Sequence, residues 1–230
     1  MNADYYQIAG ESSQKISGHA GLEYIKTVCL EKSKVLDVGC GEGTRLTMFS
    51  KSGWGVDLSS KAISLAKEKY PEYDFQQADA TKLPFSNNTF DVVYSAFVLE
   101  HTLNPKKVIS EMIRVCKPNG QVIILCPNYG APNRRSPVSI ENPYLKFITG
   151  IINPGWTMVT PKKNYDHIDD DTTFEPYILT ILNFLKTQPI KILQSSTLWN
   201  LEAPSLNPRK LIMRLFPNFG PQIFIAVQKQ

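Results

Sequence analysis

The sequence predicts an α/β domain: a mostly parallel sheet with helices on both faces, closed at the C-terminal end by antiparallel strands. Two observations carry this. From residue 34 onward, short apolar β-like runs alternate with helical stretches, the pattern of strands joined by crossover helices. The first run, "KVLDVGCGEG" at 34–43, passes straight into three alternating glycines. A glycine turn between a first strand and a first helix is where doubly wound sheets hold ligands. A chain of 230 residues is long enough for one such domain with an elaboration.

The strands predicted in order are 34–39, 54–58, 74–79, 90–97 and 121–127, each ending near a polar or glycine-containing turn. Between them, "SSKAISLAKEKYP" offers a serine cap with Ala62, Ile63, Ala66 and Tyr70 on one face. "NPKKVISEMIRVCKPNG" places Val108, Ile109, Met112, Val115 and Cys116 at helical spacing and stops at Pro118-Asn119-Gly120. Ahead of the first strand, "HAGLEYIKTVCLEKS" is helical through Leu22, Ile25 and Cys29, predicting a helix that packs on the sheet or covers its ligand edge. After Pro127 the rhythm breaks, and 128–172 is rich in Pro, Asn, Gly and aromatics, with one helix around Pro143–Ile152. Irregular stretches of that length inside a compact domain carry function. A helix over 176–186 and strands at 190–196 and 222–230 complete the chain. The organisation is a single domain, 1–230: an N-terminal helical cap (1–33), a core (34–127), an insertion (128–172) and a C-terminal helix with closing strands (173–230).

Composition narrows the partners. Lys and Arg number 25 against 21 Asp and Glu, a net +4 without the dense basic run that nucleic-acid binding needs. No apolar run approaches the ~20 residues of a membrane span. The four cysteines show no CxxC or metal-type pairing, and the polar start "MNADYYQIAGESSQ" does not read as a signal peptide, so a cytoplasmic setting is expected.

The glycine turn has Gly39, Gly41 and Gly43, with Thr44 where the dinucleotide fingerprint G-x-G-x-x-G has its third glycine. Asp37 precedes the turn, and a carboxylate aimed at a pyrophosphate would repel it. That favours a ligand with a cation or hydroxyls, such as S-adenosylmethionine, which has an ammonium, a sulfonium and no phosphate. Asp57 in "GVDLS" suits ribose hydroxyls in either that ligand or NAD. Asp79-Ala80, at the end of the third strand, can grip an adenine edge through carboxylate and backbone N–H. Taken singly, each acid is equally explained as a cap of the following turn. The competing readings are a nicotinamide-dependent oxidoreductase and a non-catalytic partner protein of the same fold.

"VLDVGCGEG", "GVDLS", "DATKLPFSNNTFDVVYSAFVLEH" and "VCKPNGQVIILCPN" together resemble the successive motifs of class I S-adenosylmethionine-dependent methyltransferases, in the type 11 subgroup similar to ubiquinone and menaquinone biosynthesis enzymes. The resemblance covers residues 34–127 and thins beyond. It implies a Rossmann-like, seven-stranded sheet with a reversed last strand and S-adenosyl-L-methionine as cofactor. It also implies Asp37, Gly39, Cys40 and Gly41 around the methionine end, Asp57 on the ribose, Leu58, Asp79 and Ala80 around adenine, and Ala96 and Phe97 under the methionine.

Methyl transfer from a sulfonium is an in-line displacement in which positioning supplies much of the rate, and a hydroxyl or carbon acceptor gains from a general base. His101, just past the fourth strand, is the candidate base, with a loop-anchoring histidine as the equal alternative. Some relatives of this fold carry E-x-x-E-H here and bind a divalent metal; the chain reads Phe97-Val98-Leu99-Glu100-His101, lacking the first glutamate, so no metal is expected. "DHIDDDTT" at 166–173 reads as an acidic helix start capped by Thr172 or Thr173 rather than as a cation site. Tyr5 and Tyr6 are candidates to close over the cofactor through cation–π attraction, with ordinary anchoring of the chain end as the equal alternative. The acceptor, a small or lipid-like molecule, is expected against Tyr129, Tyr144, Phe147, Trp156 and Tyr165, with Arg134, Arg135, Lys162 and Lys163 available for an anionic group. "NPYLKFITGIINPGW" offers a peripheral membrane contact.

Overall fold

The computed structural model describes residues 19–131, 155–161, 171–198 and 220–230, with single positions 134, 142, 145, 148 and 152. Helix α1 (Ala20–Val28) precedes strand β1 (Val35–Val38), and α2 (Thr44–Phe49), β2 (Trp54–Asp57), α3 (Ser60–Lys69) and β3 (Asp74–Gln77) follow. Strand β4 (Phe90–Ala96), a 3-10 turn (Leu99–His101), helix α4 (Pro105–Val115) and strand β5 (Cys116–Pro127) complete the first half. Beyond lie the short strands β6 (Thr157–Met158) and β7 (Phe174–Glu175), helix α5 (Ile178–Leu185), and strands β8 (Ile190–Leu198) and β9 (Gln222–Lys229).

Seven strands form one sheet in the order β3-β2-β1-β4-β5-β9-β8. β1 to β5 are parallel to their neighbours, whereas β9 runs antiparallel to both β5 and β8. The strand order reverses between β1 and β4, which places a crevice at their carboxyl ends, the ligand position in such sheets. All four residues of β1 are buried. Apolar side chains fill both faces: Leu36, Val38, Val93 and Ile124 pack with α4 and α5, and Val35, Tyr94, Ile123 and Leu125 pack with α1, α2 and α3.

Local chemistry explains the helix boundaries. Ser59 caps α3 by accepting from Ala62 N at 3.3 Å, and Asn104 caps α4 by accepting from Lys107 N, with Pro105 in the first turn where its missing N–H costs nothing. α4 ends at Val115, earlier than its apolar pattern suggested, because Cys116 already pairs with Phe90. The register then shifts between Phe90 and Val92, so that Gln121 is the next residue paired. Pro118-Asn119-Gly120, with Asn119 at φ 64°, therefore bulges from β5. α1 packs on the sheet: Tyr24 donates to Gln121 Oε1 at 2.9 Å and meets the Phe224 ring edge-on.

The acidic helix start expected at 166–173 is not what forms at its described end. Phe174 and Glu175 instead make a strand paired with Thr157 and Met158, and α5 begins after Tyr177 without a side-chain cap. Thr173 donates its N–H to Glu100 O at 2.8 Å, drawing this segment onto the turn after β4. Asp166 to Asp170, with His167, lie outside the described residues, as do Tyr5, Tyr6, Arg135, Tyr144, Phe147, Lys162, Lys163 and Tyr165. All four cysteines are buried free thiols. Among the described residues no helix is long and apolar enough to cross a membrane.

Candidate active site

At the carboxyl ends of β1, β2 and β4 the chain makes the turn that the glycines announced. Gly39, Gly41 and Gly43 all have positive φ, at 83°, 55° and 84°. A Cβ on Gly39 would lie 2.2 Å from Val98 Cγ2, so the missing side chain lets the β4 turn close against β1. A Cβ on Gly41 would meet nothing within 4 Å, so this stretch of backbone borders open space.

The N–H groups of the turn are bonded within the protein. Gly39 N and Cys40 N both donate to Val56 O, at 2.8 and 3.0 Å, and Gly43 N donates to Cys40 O at 3.0 Å. Gly41 N donates to Asp57 Oδ2 at 2.9 Å, and the other oxygen of Asp57 accepts from Ser59 N at 2.9 Å. Burial pushes the Asp57 carboxyl upward, against the pull of its backbone donors. A phosphate cradle needs N–H groups aimed at the ligand. Here four of them are already used to fix the turn and its acid.

The remaining expected residues fall into two sets. Ala96 and Phe97 end β4 beside the glycine turn, and Phe97 takes φ 61°, a strained value for an aromatic residue, with its N–H on Leu125 O. Leu58 is 71% exposed next to Asp57, an apolar surface at the crevice. Asp37 lies in the strand predicted for it, with its side chain turned inward. It is 2% exposed and accepts from Tyr94 OH at 2.8 Å. Burial pushes its carboxyl up to about 7, opposed by Tyr94 and Arg45 and reinforced by the charge of Asp57. Asp37 thus underlies the turn, and the carboxylate at the crevice is that of Asp57. Cys40 is likewise buried, with its thiol in contact range of the Gly55 position and driven upward in pKa by burial. β3 ends at Gln77 and Ala78 N adds one bond to Asp57 O, so Asp79 sits two residues past the strand, exposed, accepting from Thr81 N at 2.8 Å, with Ala80 beside it.

His101 closes a 3-10 turn on Val98, its N–H donating to Val98 O at 2.9 Å. Its Nδ1 lies 2.8 Å from Asp171 Oδ1, and Nε2 lies 3.8 Å from Glu100 Oε1. The two sequence features considered separately, "LEH" and the acidic run, therefore meet through Asp171. The wall beside them contains Tyr129, whose N–H donates to Pro176 O and whose ring carries the Arg134 guanidinium at 5.1 Å. Trp156 packs away from this wall, stacked on Phe174 with Lys106 above its ring.

Sequence reasoning missed two residues. Arg45, one residue into α2, donates from Nη1 to Ala96 O at 2.9 Å and places its guanidinium 5.5 Å from the Phe97 centroid. His19 caps α1 through Nδ1, and its ring centroid lies 5.8 Å from that of Phe97 in an edge-to-face arrangement. A basic residue directly after a glycine turn was the available signal for Arg45; His19 was hidden among helix-start residues.

Known proteins resemble the chain in sequence over its core and in fold. Residues 36–124 match the model of a family described as methyltransferase domain. The demethylmenaquinone methyltransferase of Renibacterium salmoninarum is 39% identical over 94 residues, 40% of each chain. The phosphatidylethanolamine N-methyltransferase of Cereibacter sphaeroides is 33% identical over 122 residues, covering 50% of this chain and 59% of that protein. The chain thus spans less than two thirds of the length of these curated relatives. The crystal structure of an S-adenosylmethionine-dependent methyltransferase from Mesorhizobium loti superposes with a TM-score of 0.65 at 15% identity, over 94% of this chain and 100% of that one, a likeness of fold. Residues 36–124 are thus similar to a methyltransferase domain, and they lie on a seven-stranded sheet whose fold is like that of a solved S-adenosylmethionine-dependent methyltransferase.

Proposed function

We propose that this chain moves a methyl group from S-adenosylmethionine to a small, lipid-like acceptor, with His101 taking the acceptor's proton. The observation that supports the choice of donor is the glycine turn, where the N–H groups of Gly39, Cys40, Gly41 and Gly43 are bonded within the protein and the Asp57 carboxylate stands beside them. The residues present fit a sulfonium nucleoside. Each oxygen of Asp57 accepts one backbone N–H and retains a lone pair for a ribose hydroxyl. Leu58 offers an apolar face to a purine, and the Phe97 ring offers π density to a sulfonium.

When bound, the donor supplies an electrophilic methyl that the acceptor displaces in line, with the C–S electron pair leaving on sulfur. The protein's part is to align the acceptor behind that methyl and to receive a proton. The Asp171 carboxylate, 2.8 Å from His101 Nδ1, steadies the imidazolium once the proton arrives. Such a base serves a hydroxyl or an activated carbon. The acceptor class is supported by the relatives, named for a demethylmenaquinone and for phosphatidylethanolamine. It is also supported by the exposed Leu145, Ile148 and Ile152 in the segment before Trp156.

The test is transfer of a labelled methyl group to a quinol lipid and to phosphatidylethanolamine vesicles, with His101→Ala alongside the wild type. Transfer to the quinol with a loss of about 10²- to 10⁴-fold in kcat on substitution, at unchanged donor affinity, is expected. An equal loss of donor affinity would make His101 a structural residue, and absence of transfer to either lipid would refute the acceptor class.

A further inference from the structure

Helix α4 carries a pair of charges directed at the loop between β3 and β4, residues 78–89. Arg114 has five N–H donors, and all are engaged. Nε and Nη2 donate to the two oxygens of Glu111, at 2.8 and 2.7 Å. The others go to Leu83 O at 3.0 Å, Phe85 O at 2.7 Å and Asn87 Oδ1 at 2.9 Å. Glu111 Oε2 also accepts from Leu83 N at 2.9 Å, so both backbone groups of Leu83 are bonded to the pair. An ion pair in open solvent would contribute little. Here the Glu111 side chain is only 8% exposed, and removing it would strand the buried Leu83 N–H.

Leu83 closes a run of bonded N–H groups that begins at Asp57. Ala78 N donates to Asp57 O at 2.9 Å and Lys82 N to Asp79 O at 2.9 Å, while Thr81 N donates to Asp79 Oδ1 at 2.8 Å. Asp79 and Ala80 thus stand in a tight turn suspended between two anchors: the Asp57 carbonyl on one side, and Glu111 with Arg114 on the other. Asp79 is exposed, so bonds rather than packing fix its place. The distance from the ribose acid to the acid beside the purine is set by those two anchors together.

We propose that Glu111 and Arg114 are positioning residues that fix where Asp79 and Ala80 meet the donor's purine, and thereby set the discrimination between adenine and other bases. This rests on the donor reading above, and neither residue touches the donor. With the turn held, the Asp79 carboxylate accepts from the 6-amino group of adenine. Hypoxanthine presents a 6-oxo group there, oxygen against oxygen, and is rejected as long as the turn cannot shift. Positioning of this kind depends on the supporting bonds as much as on the contacting residue.

The experiment is a calorimetric titration with S-adenosylhomocysteine and S-inosylhomocysteine, which differ only at the 6-position and N1 of the purine. The wild type is expected to prefer the adenine ligand by about 10- to 100-fold, the range for a charged hydrogen bond. Arg114→Lys keeps the charge but cannot span the acceptors that a planar guanidinium reaches. It should cut the preference to within about threefold, mainly by weakening the adenine ligand. Glu111→Gln keeps an acceptor for Leu83 N and should fall between the two; it carries the test alone if Arg114→Lys does not fold. Lys229→Met is the control for stability, because it removes bonds from Lys229 Nζ to Asn88 Oδ1, Arg114 O and Cys116 O at the far end of the same loop. It should lower the urea midpoint and leave the preference unchanged. A wild-type preference in the Arg114 and Glu111 variants, with a lowered midpoint, would make the pair structural and overturn the assignment. So would equal weakening of both ligands, the same loss of preference in Lys229→Met, or no preference in the wild type. Failure of the wild type to bind either ligand would overturn the donor reading, and the assignment with it.

Discussion

Gly39 and Gly41 stand two residues apart in one turn, both at positive φ, yet alanine should affect them in opposite ways. At Gly39 an added Cβ would lie 2.2, 2.6 and 2.9 Å from Cγ2, Cγ1 and Cβ of Val98. Rotating a β-branched side chain cannot clear three such contacts, so the turn after β4 must move. The backbone term for a non-glycine residue at positive φ is about 1 to 2 kcal/mol, and overpacking adds about 1 to 3 kcal/mol. Gly39→Ala should therefore lose about 2 to 5 kcal/mol of stability. At Gly41 the space is open, so only the backbone term of about 1 to 2 kcal/mol applies, but the new methyl enters the crevice. Urea denaturation and donor titration separate the two. Gly41→Ala should weaken S-adenosylmethionine binding by at least tenfold with a small shift in midpoint, and Gly39→Ala should show the larger shift. Val98→Ala combined with Gly39→Ala should recover the steric part, seen as a favourable coupling energy in the double-mutant cycle. Equal stability losses at the two glycines, or additive behaviour of Gly39→Ala with Val98→Ala, would refute this reasoning.

Two further predictions concern the acids. Asp57→Asn places an amide donor against the N–H of either Gly41 or Ser59 and removes the charge proposed to face the ribose, and should weaken donor binding by about 1 to 3 kcal/mol; unchanged affinity in titration would remove Asp57 from the site. Asp37, with its carboxyl raised from 3.8 to about 7, binds a proton more tightly folded than unfolded. Its contribution to stability is thus fully present below about pH 4 and is lost as pH rises through about 7. Asp37→Asn, which keeps an acceptor for Tyr94 OH, should gain stability relative to the wild type as pH rises across that window. A difference independent of pH would contradict the burial argument.

The strand and helix order was legible because each element between 34 and 127 is punctuated by its own residues: glycines after β1, Ser59 before α3, Asn104-Pro105 before α4. Asp57 and the glycine turn were legible for the same reason, since spacing along one turn determines what they can touch. Asp37 lies within the strand predicted at 34–39, but its bond from Tyr94 OH was out of reach because it joins residues 57 apart. Asp171 and Arg45 were out of reach because their roles depend on contacts across 70 and 51 residues, to His101 and Ala96. The short β6 and β7 strands were missed because two-residue pairs carry no periodicity, and Thr173 resembles a helix cap until Glu100 O takes its N–H.

The central claim is that the crevice over Gly41 and Asp57 holds a sulfonium nucleoside rather than a dinucleotide. Calorimetric titration of the wild-type chain with S-adenosylmethionine, S-adenosylhomocysteine and NAD tests it most directly. Saturable one-to-one binding of the first two, lost in Gly41→Ala, with no heat from NAD, is the predicted result; tight binding of NAD without S-adenosylmethionine binding would contradict it.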